Sequence, residues 1–397
     1  MSESCPVGYP IPWAPTPDIP EEWKALRERS LVEITLPSGE PAVLVTRYKD
    51  VRRLFADERL SRNTFGRASR VSASNDLFGD PNVDNDPPRY LEERSVVMRA
   101  FSARRIEALR VFVKKVVIDL LDEMEAGPQP AELMEAFAYP LPILVICQML
   151  GVPAEDRTKF RRLIDGYLSV TRLPEDEVEE CRKQYWDYLT ELIDSKRAQP
   201  GDDLISELIE ISREDPGKLT DYQLQNWVKT LLIAGYVTTA SQLGTSMAVL
   251  LHRPEVADDL KADLSLVPSA VEELLRYQIM GTSLGTLRYA VEDIELSDGA
   301  VVPKGSSVLL SQESNHDEEV FEDPLTLDIR REDNHHLTFG AGIHFCAGAA
   351  LARMELQEAT EGLLQRFPGL KLAIPGDELV RPEGGFLAGY TNVPVTW

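Results

Sequence analysis

The stretch FGAGIHFCAGAALARMELQ, residues 339–357, holds a single cysteine between a glycine-rich loop and what reads as the first turn of a helix. A thiolate binds soft and borderline metals, and haem iron takes a single axial cysteine. Cys346 therefore reads as an axial ligand that needs no second thiol beside it. Gly340, Gly342 and Gly348 would let the backbone approach a flat macrocycle closely and supply φ angles that other residues resist. A helix starting near Ala347 would aim its N–H groups and positive dipole end at the sulfur, which stabilises thiolate and tempers its electron donation. The competing reading is a buried structural cysteine in a strand-to-helix turn.

The remaining cysteines, Cys5, Cys147 and Cys181, are scattered, and no CxxC pair occurs. This suits neither a disulfide framework nor a zinc site and fits reduced, cytosolic thiols. Lys and Arg number 42 against 66 Asp and Glu, a net charge of −24. The overall field therefore disfavours nucleic acid and anionic lipid, leaving only a local basic patch for such partners. No window reaches membrane-spanning length without charges, and the N-terminal stretch MSESCPVGYPIPWAPTPDIP has neither a basic leader nor an apolar run of signal length. The expectation is a cytoplasmic protein with no nucleic-acid or membrane partner.

The elements that must position the cysteine loop follow from periodicity. LVEITLPSGEPAVLVTRY reads as a β-hairpin turning at residues 37–39. RRIEALRVFVKKVVIDLLDEME places Ile106, Leu109, Val113, Val117, Leu120 and Leu121 on one helical stripe. PLPILVICQML reads as a buried helix in which Cys147 acts as a small core hydrophobe. A helix from about Asp221 to Leu251 would span roughly 45 Å. It is apolar nearly all round and should be buried. Yet it carries Gly235, Thr238 and Thr239, which are poor helix formers, so something must gain from them. Short strands follow the helix SAVEELLRY. The fold class is mainly α with a smaller β portion, and residues 1–397 read as one domain, without repeats or linkers.

The pattern F-G-x-G-x-H-x-C-x-G is matched by Phe339, Gly340, Gly342, His344, Cys346 and Gly348, and resembles the haem-binding loop of the cytochromes P-450. The resemblance implies that family's fold, a long central helix over haem b, with Cys346 as the proximal iron ligand. It implies that His344 donates to a haem propionate and that Phe339 shields the sulfur. Glu273 and Arg276 match the family's E-x-x-R, sharing a helix face at i,i+3, and Arg331 matches its third, structural partner. DPPRYLEER resembles D-P-P-x-H-x-x-x-R; Arg94 matches the propionate-binding arginine, whereas Tyr90 replaces the histidine. Arg288 matches a further propionate-binding arginine, a plain salt bridge being the alternative for both. AGYVTT resembles the oxygen-activating stretch, with Ala234, Gly235, Thr238 and Thr239 in place. Gly235 would leave room for dioxygen, and Thr238 would bond the Ala234 carbonyl, open a bulge and help deliver protons.

One position departs from the pattern. The acid usually placed before the catalytic threonine is Val237 here, and valine relays no protons. A branch of the family that acts on cyclic dipeptides also lacks this acid, and SAVEELLR and VPVTW are similar to it. The implied substrate is a small natural product such as an aromatic cyclodipeptide, oxidised by hydroxylation or by oxidative ring coupling. By the same resemblance, substrate contacts fall on the loop at residues 63–80, on Val237, on Thr282, Ser283 and Leu284, and on Phe386, with ordinary loop packing as the alternative. The implied electron donors are a ferredoxin and its reductase, and Arg99, Arg104, Arg105 and Lys114 form a candidate basic docking spot. Two other readings stay open: a haem-based sensor or carrier without turnover, and a peroxide-driven oxygenase.

Overall fold

The computed structural model describes residues 6–13, 16–20, 22–72, 80–153, 156–215, 217–278, 283–381, 383–387 and 389–397. Seven helices frame the site. They are α1 (Arg89–Val97), α2 (Ala103–Ala126), α3 (Pro140–Leu150), α4 (Glu175–Ala198), α5 (Asp221–Leu251), α6 (Val267–Tyr277) and α7 (Ala349–Arg366).

Local chemistry sets their limits. A proline opens α3, where its missing N–H costs nothing, and Gly151, at φ 74°, ends it in the left-handed conformation. A capping box joins Thr220 and Gln223 at the start of α5, satisfying two otherwise orphaned donors. The stripe expected on α2 is buried at Ile106, Val113, Val117, Leu120 and Leu121, while Leu109 is half-buried at the edge of the core. Cys147 is fully buried in α3, as a core hydrophobe should be.

The long helix runs unbroken for 31 residues, a rise of about 46 Å, and is buried continuously from Thr239 to Leu251. It packs against α3 and α7. A Cβ on Gly235 would stand 2.7 Å from Ile146 Cδ1, so the approach of α5 to α3 requires glycine there. Close packing against Ile146 offsets the poor helix propensity of this residue.

Six strands form the main sheet: β1 (Val7–Gly8), β2 (Leu31–Thr35), β3 (Pro41–Val45), β4 (Leu60–Ser61), β5 (Arg288–Ala290) and β6 (Ser307–Leu310), in the order β1-β2-β3-β6-β5-β4. The expected hairpin is β2–β3, paired from Leu31↔Val45 to Thr35↔Pro41. Pairing of Arg288 with Val308 places that arginine inside the sheet instead of at its rim.

The predicted charged triad is built as expected. Arg276 Nε and Nη2 donate to the two oxygens of Glu273 at 2.8 and 2.7 Å, and Arg331 Nε adds a third bond at 3.1 Å. Asn334 and the Asp328 N–H also donate to Glu273, and Arg276 reaches the carbonyls of Asn315 and Pro324. Glu273 and Arg276 are inaccessible to solvent. Breaking such a pair by removing one partner costs about 3–5 kcal/mol, because a charge is left buried and uncompensated. The network ties α6 to the segment that leads into the cysteine loop.

His316 lies beside this network, stacked on Trp23 with Nε2 3.0 Å from the Tyr277 carbonyl. Burial first, then Arg276 and Arg27, push its pKa down from 6.5 to about 3. Between those values the unfolded chain binds a proton that the folded chain refuses. Stability should therefore fall as pH drops from about 6.5 toward 3, by up to about 1.4 kcal/mol per pH unit from this group. Chemical denaturation of wild type and His316→Gln across that range should show a shallower acid slope in the variant.

Candidate active site

A cavity of about 400 Å³ separates α5 from the cysteine loop. Gly340 and Gly342 both adopt φ 68°, so the loop uses the freedom expected of them. A Cβ on Gly342 would come within 2.8 Å of the Phe55 carbonyl oxygen. Gly348 differs: its φ is −88°, and α7 begins after it, at Ala349, two residues later than expected. The Cys346 N–H donates to the Phe339 carbonyl at 2.9 Å, which closes the loop.

Cys346 borders this cavity and is an exposed residue. Burial pushes the thiol pKa up, while the Gly348 N–H, Arg94 and Arg353 favour thiolate. A metal at this position would displace the proton. Phe339 borders the same cavity, with the Arg353 guanidinium 4.5 Å from its ring centre.

The cationic residues converge as expected, with one addition. Arg94, Arg288 and His344 border the cavity together with Arg62, which the sequence reading missed. Arg94 Nη1 donates to Tyr90 Oη at 2.9 Å, and Nη2 donates to the Phe345 carbonyl. Tyr90 thus accepts from the arginine and keeps its own proton available for donation. Its ring stands 4.3 Å from His344. Arg288 Nη1 is bound to the Thr286 and Leu287 carbonyls at 3.1 and 2.9 Å. Burial, then Arg62, push Arg288 well below its usual pKa. Burial, then Arg62, Arg288 and Arg94, push His344 down to about 2. His344 Nδ1 is buried without a partner among the described residues. A lone arginine just after a two-residue strand gives no periodic signal, which is why Arg62 escaped notice.

The α5 wall carries Ala234, Gly235, Thr238 and Thr239 at the same cavity. Thr238 Oγ1 donates to the Ala234 carbonyl at 2.6 Å, as expected. The expected bulge is absent: α5 stays α-helical through this stretch. With its proton committed to that carbonyl, the threonine hydroxyl can offer its lone pairs to a water. Glu355 on α7 also borders the cavity, and burial pushes its carboxyl pKa well above the usual range.

A second cavity, about 300 Å³, lies along α5 beyond Thr238. Ala234 and Thr238 border both cavities, as do Arg62 and Phe386. Val237 and Phe386 fall where substrate contacts were expected. Leu284 borders neither cavity: it is buried in a hydrophobic cluster that also holds residues of β2, β3 and β6. Thr282 lies outside the described residues, as does part of the loop at 63–80, and Ser283 is described only as the start of a 3-10 turn. Leu287, Ile233, Tyr167 and Lys229 border this cavity and were not anticipated.

This donor set suits haem. One soft ligand stands below an otherwise largely apolar cavity. Arginines and an orphaned imidazole converge where two carboxylates would neutralise them. A family model for cytochrome P450 matches residues 30–383. The whole chain is 41% identical to nocardicin C N-oxygenase of Nocardia uniformis subsp. tsuyamanensis, covering 99% of that protein. It is 38% identical to mycinamicin IV hydroxylase/epoxidase of Micromonospora griseorubida, with 100% of both covered. Among solved structures, the LnmA cytochrome P450 hydroxylase from the leinamycin pathway of Streptomyces atroolivaceus S-140 matches with a TM-score of 0.89 at 38% identity, over 98% of this chain and 100% of that one.

The chain therefore belongs to the cytochrome P450 family. It is a haem-dependent monooxygenase. The haem supplies dioxygen activation, aided by thiolate ligation. The protein would contribute Cys346 as ligand, and Arg62, Arg94, Arg288, Tyr90 and His344 as carboxylate partners. Replacing Arg62 by Ala should speed haem loss to an acceptor globin several-fold, while the ferrous carbonyl spectrum keeps its thiolate position. An unchanged rate of loss would remove Arg62 from that set.

Proposed function

We propose that this enzyme oxidises a compact aromatic natural product of peptide origin, by oxygen insertion or by oxidative ring coupling, with aromatic cyclodipeptides as the first candidates. One observation carries the reading: Ala234 and Thr238 border both cavities, so a substrate in the upper one meets the oxidising centre at the threonine. A volume of about 300 Å³ suits a small ligand. Tyr167 and Phe386 supply ring surfaces in its wall. Cys346 acts as proximal ligand, and Thr238, with bound water, delivers protons that Val237 cannot relay. The two relatives above are named for oxygenating reactions, which favours turnover over the sensor or carrier reading.

The test is incubation of the haem-loaded enzyme with NADPH, a surrogate ferredoxin and its reductase, and a panel of aromatic cyclodipeptides and linear peptides. Products are read by mass. Gain of one oxygen marks insertion, and loss of two hydrogens marks coupling. Turnover with peroxide alone would favour the peroxide-driven route. No new mass from any panel member would sink the substrate reading.

We further propose that electrons enter beside Cys346 from an acidic ferredoxin in the cytoplasm, the compartment that suits free thiols at Cys147, Cys181 and Cys346. Arg99 and Arg104 are exposed and make no ion pair with any described residue. Arg105 is held by Glu207 at 2.5 Å, and Lys114 lies 3.7 Å from Glu358. The docking spot is therefore narrower than the four residues expected, and the exposed ring of Phe345 lies next to the ligand cysteine. Reversing charge at Arg99 and Arg104 should slow reduction several-fold at low ionic strength, with the difference shrinking as salt screens it. Equal stopped-flow rates for variant and wild type would rule out this surface.

A further inference from the structure

The upper cavity contains a charge for which the oxidation chemistry has no use. Lys229 stands on α5 and borders this cavity together with Ile233, Ala234 and Val237, four, five and eight residues further on. Spacings of four set Lys229, Ile233 and Val237 on one stripe of the helix, with Ala234 at its edge, three residues before Val237. The lysine is half-buried, and its ammonium makes no hydrogen bond or ion pair with any described residue. Its contact is with the Trp186 ring, whose centre lies 5.7 Å away.

Besides Arg62, which also borders the cavity at the cysteine loop, two other charged groups border the same space. Asp80 already accepts from Tyr222 Oη at 2.6 Å and from the Asn82 N–H at 2.9 Å. Arg182 lies over the Tyr167 ring and 3.8 Å from Glu179. Burial lowers the Lys229 pKa; Asp80 opposes this in part, and Arg182 adds a smaller lowering. An ammonium held in this way, away from bulk water and short of a counter-charge, gains from an anion brought beside it.

We propose that Lys229 determines substrate specificity by binding a carboxylate, so that the substrate is a small aromatic compound with a free acid at one end and the oxidised position at the other. This rests on the upper cavity, the second one along α5, being the substrate site, as argued above; it keeps the aromatic peptide class and puts the open, acid-ended form ahead of the cyclodipeptide. From Lys229 to Ala234 the helix rises about 7.5 Å, so the acid lies several bonds from the atom that is oxidised. The substrate's long axis then runs along α5. A neutral cyclic dipeptide in the same place would leave the ammonium unpaired, whereas the open, acid-ended counterpart would complete it.

The experiment is a spectral titration of the haem-loaded enzyme, following the Soret shift on ligand entry. The probes are N-acetyl-L-tyrosine and N-acetyl-L-tyrosyl-L-tyrosine, each as free acid and as methylamide, together with cyclo(L-Tyr-L-Tyr). Wild type should bind each acid at least about tenfold more tightly than its amide. Lys229→Gln should bind acid and amide alike, and Lys229→Arg should keep the preference. An unchanged ferrous carbonyl spectrum in both variants shows that the haem site is intact.

Equal affinity for acid and amide in wild type overturns the inference. So does a preference that survives in Lys229→Gln, or the failure of both acids to shift the spectrum at millimolar concentration. Binding and oxidation of the neutral cyclic probe, equal in wild type and Lys229→Gln, would overturn it while leaving the proposed oxidation standing. Acids that bind through Lys229 without being turned over would instead sustain the inference and count against that oxidation.

Discussion

Positive charge confined without a matching acid is the constraint around which this site is organised. Burial first, and then the nearby Arg62, Arg288 and Arg94, keep the His344 imidazole neutral far below its usual titration range. Asp86 is the nearest compensation, but its carboxylate is already engaged by the Ser61 hydroxyl and the Arg62 N–H. Such an arrangement is costly unless an anion completes it. The two carboxylates of haem would meet that need, so a bound cofactor would complete the electrostatics of the fold as well as supplying its chemistry. The contrast with the Glu273–Arg276–Arg331 network is instructive. There the balancing acid comes from the chain itself, and the network is structural.

The second organising element is α5, which serves both cavities. One stripe of it faces the cysteine loop, and the neighbouring stripe faces the second cavity. Continuity of the helix makes the spacing between Lys229, Ala234 and Thr238 a rigid ruler instead of an adjustable loop. Gly235 shows how such a position answers to packing as well as chemistry. The volume its side chain would occupy belongs to Ile146 of α3. Thr238 bonds back to the Ala234 carbonyl without distorting the helix, so the hydroxyl is oriented by a local bond and not by an opened turn.

Much of this was legible in the residues alone. Fixed spacing carries information when a single short loop or one helix face does the work, as in residues 339–348 or the pair Glu273 and Arg276. The long apolar helix was visible for the same reason. What escaped was set by contacts between segments distant in sequence. Arg62 and Lys229 are isolated cations with no motif around them, and each acquires meaning only from what packs opposite. Leu284 was misassigned because a loop next to the site can point its side chain into the core just as readily as into the pocket. Arg105 looked free until Glu207 was seen beside it.

By itself, the order of residues determined the family, the candidate ligand loop around Cys346, the internal salt-bridge partners and the mainly helical architecture, because each is encoded by neighbours within a turn or two. Tertiary structure alone decided which cations share one cavity, which surface arginines make no ion pair among the described residues, and where a lysine faces a pocket without an ion pair to any described residue. Those are properties of burial and of distance through space. Both depend on how strands and helices far apart in the chain are brought together, and no local spacing records that.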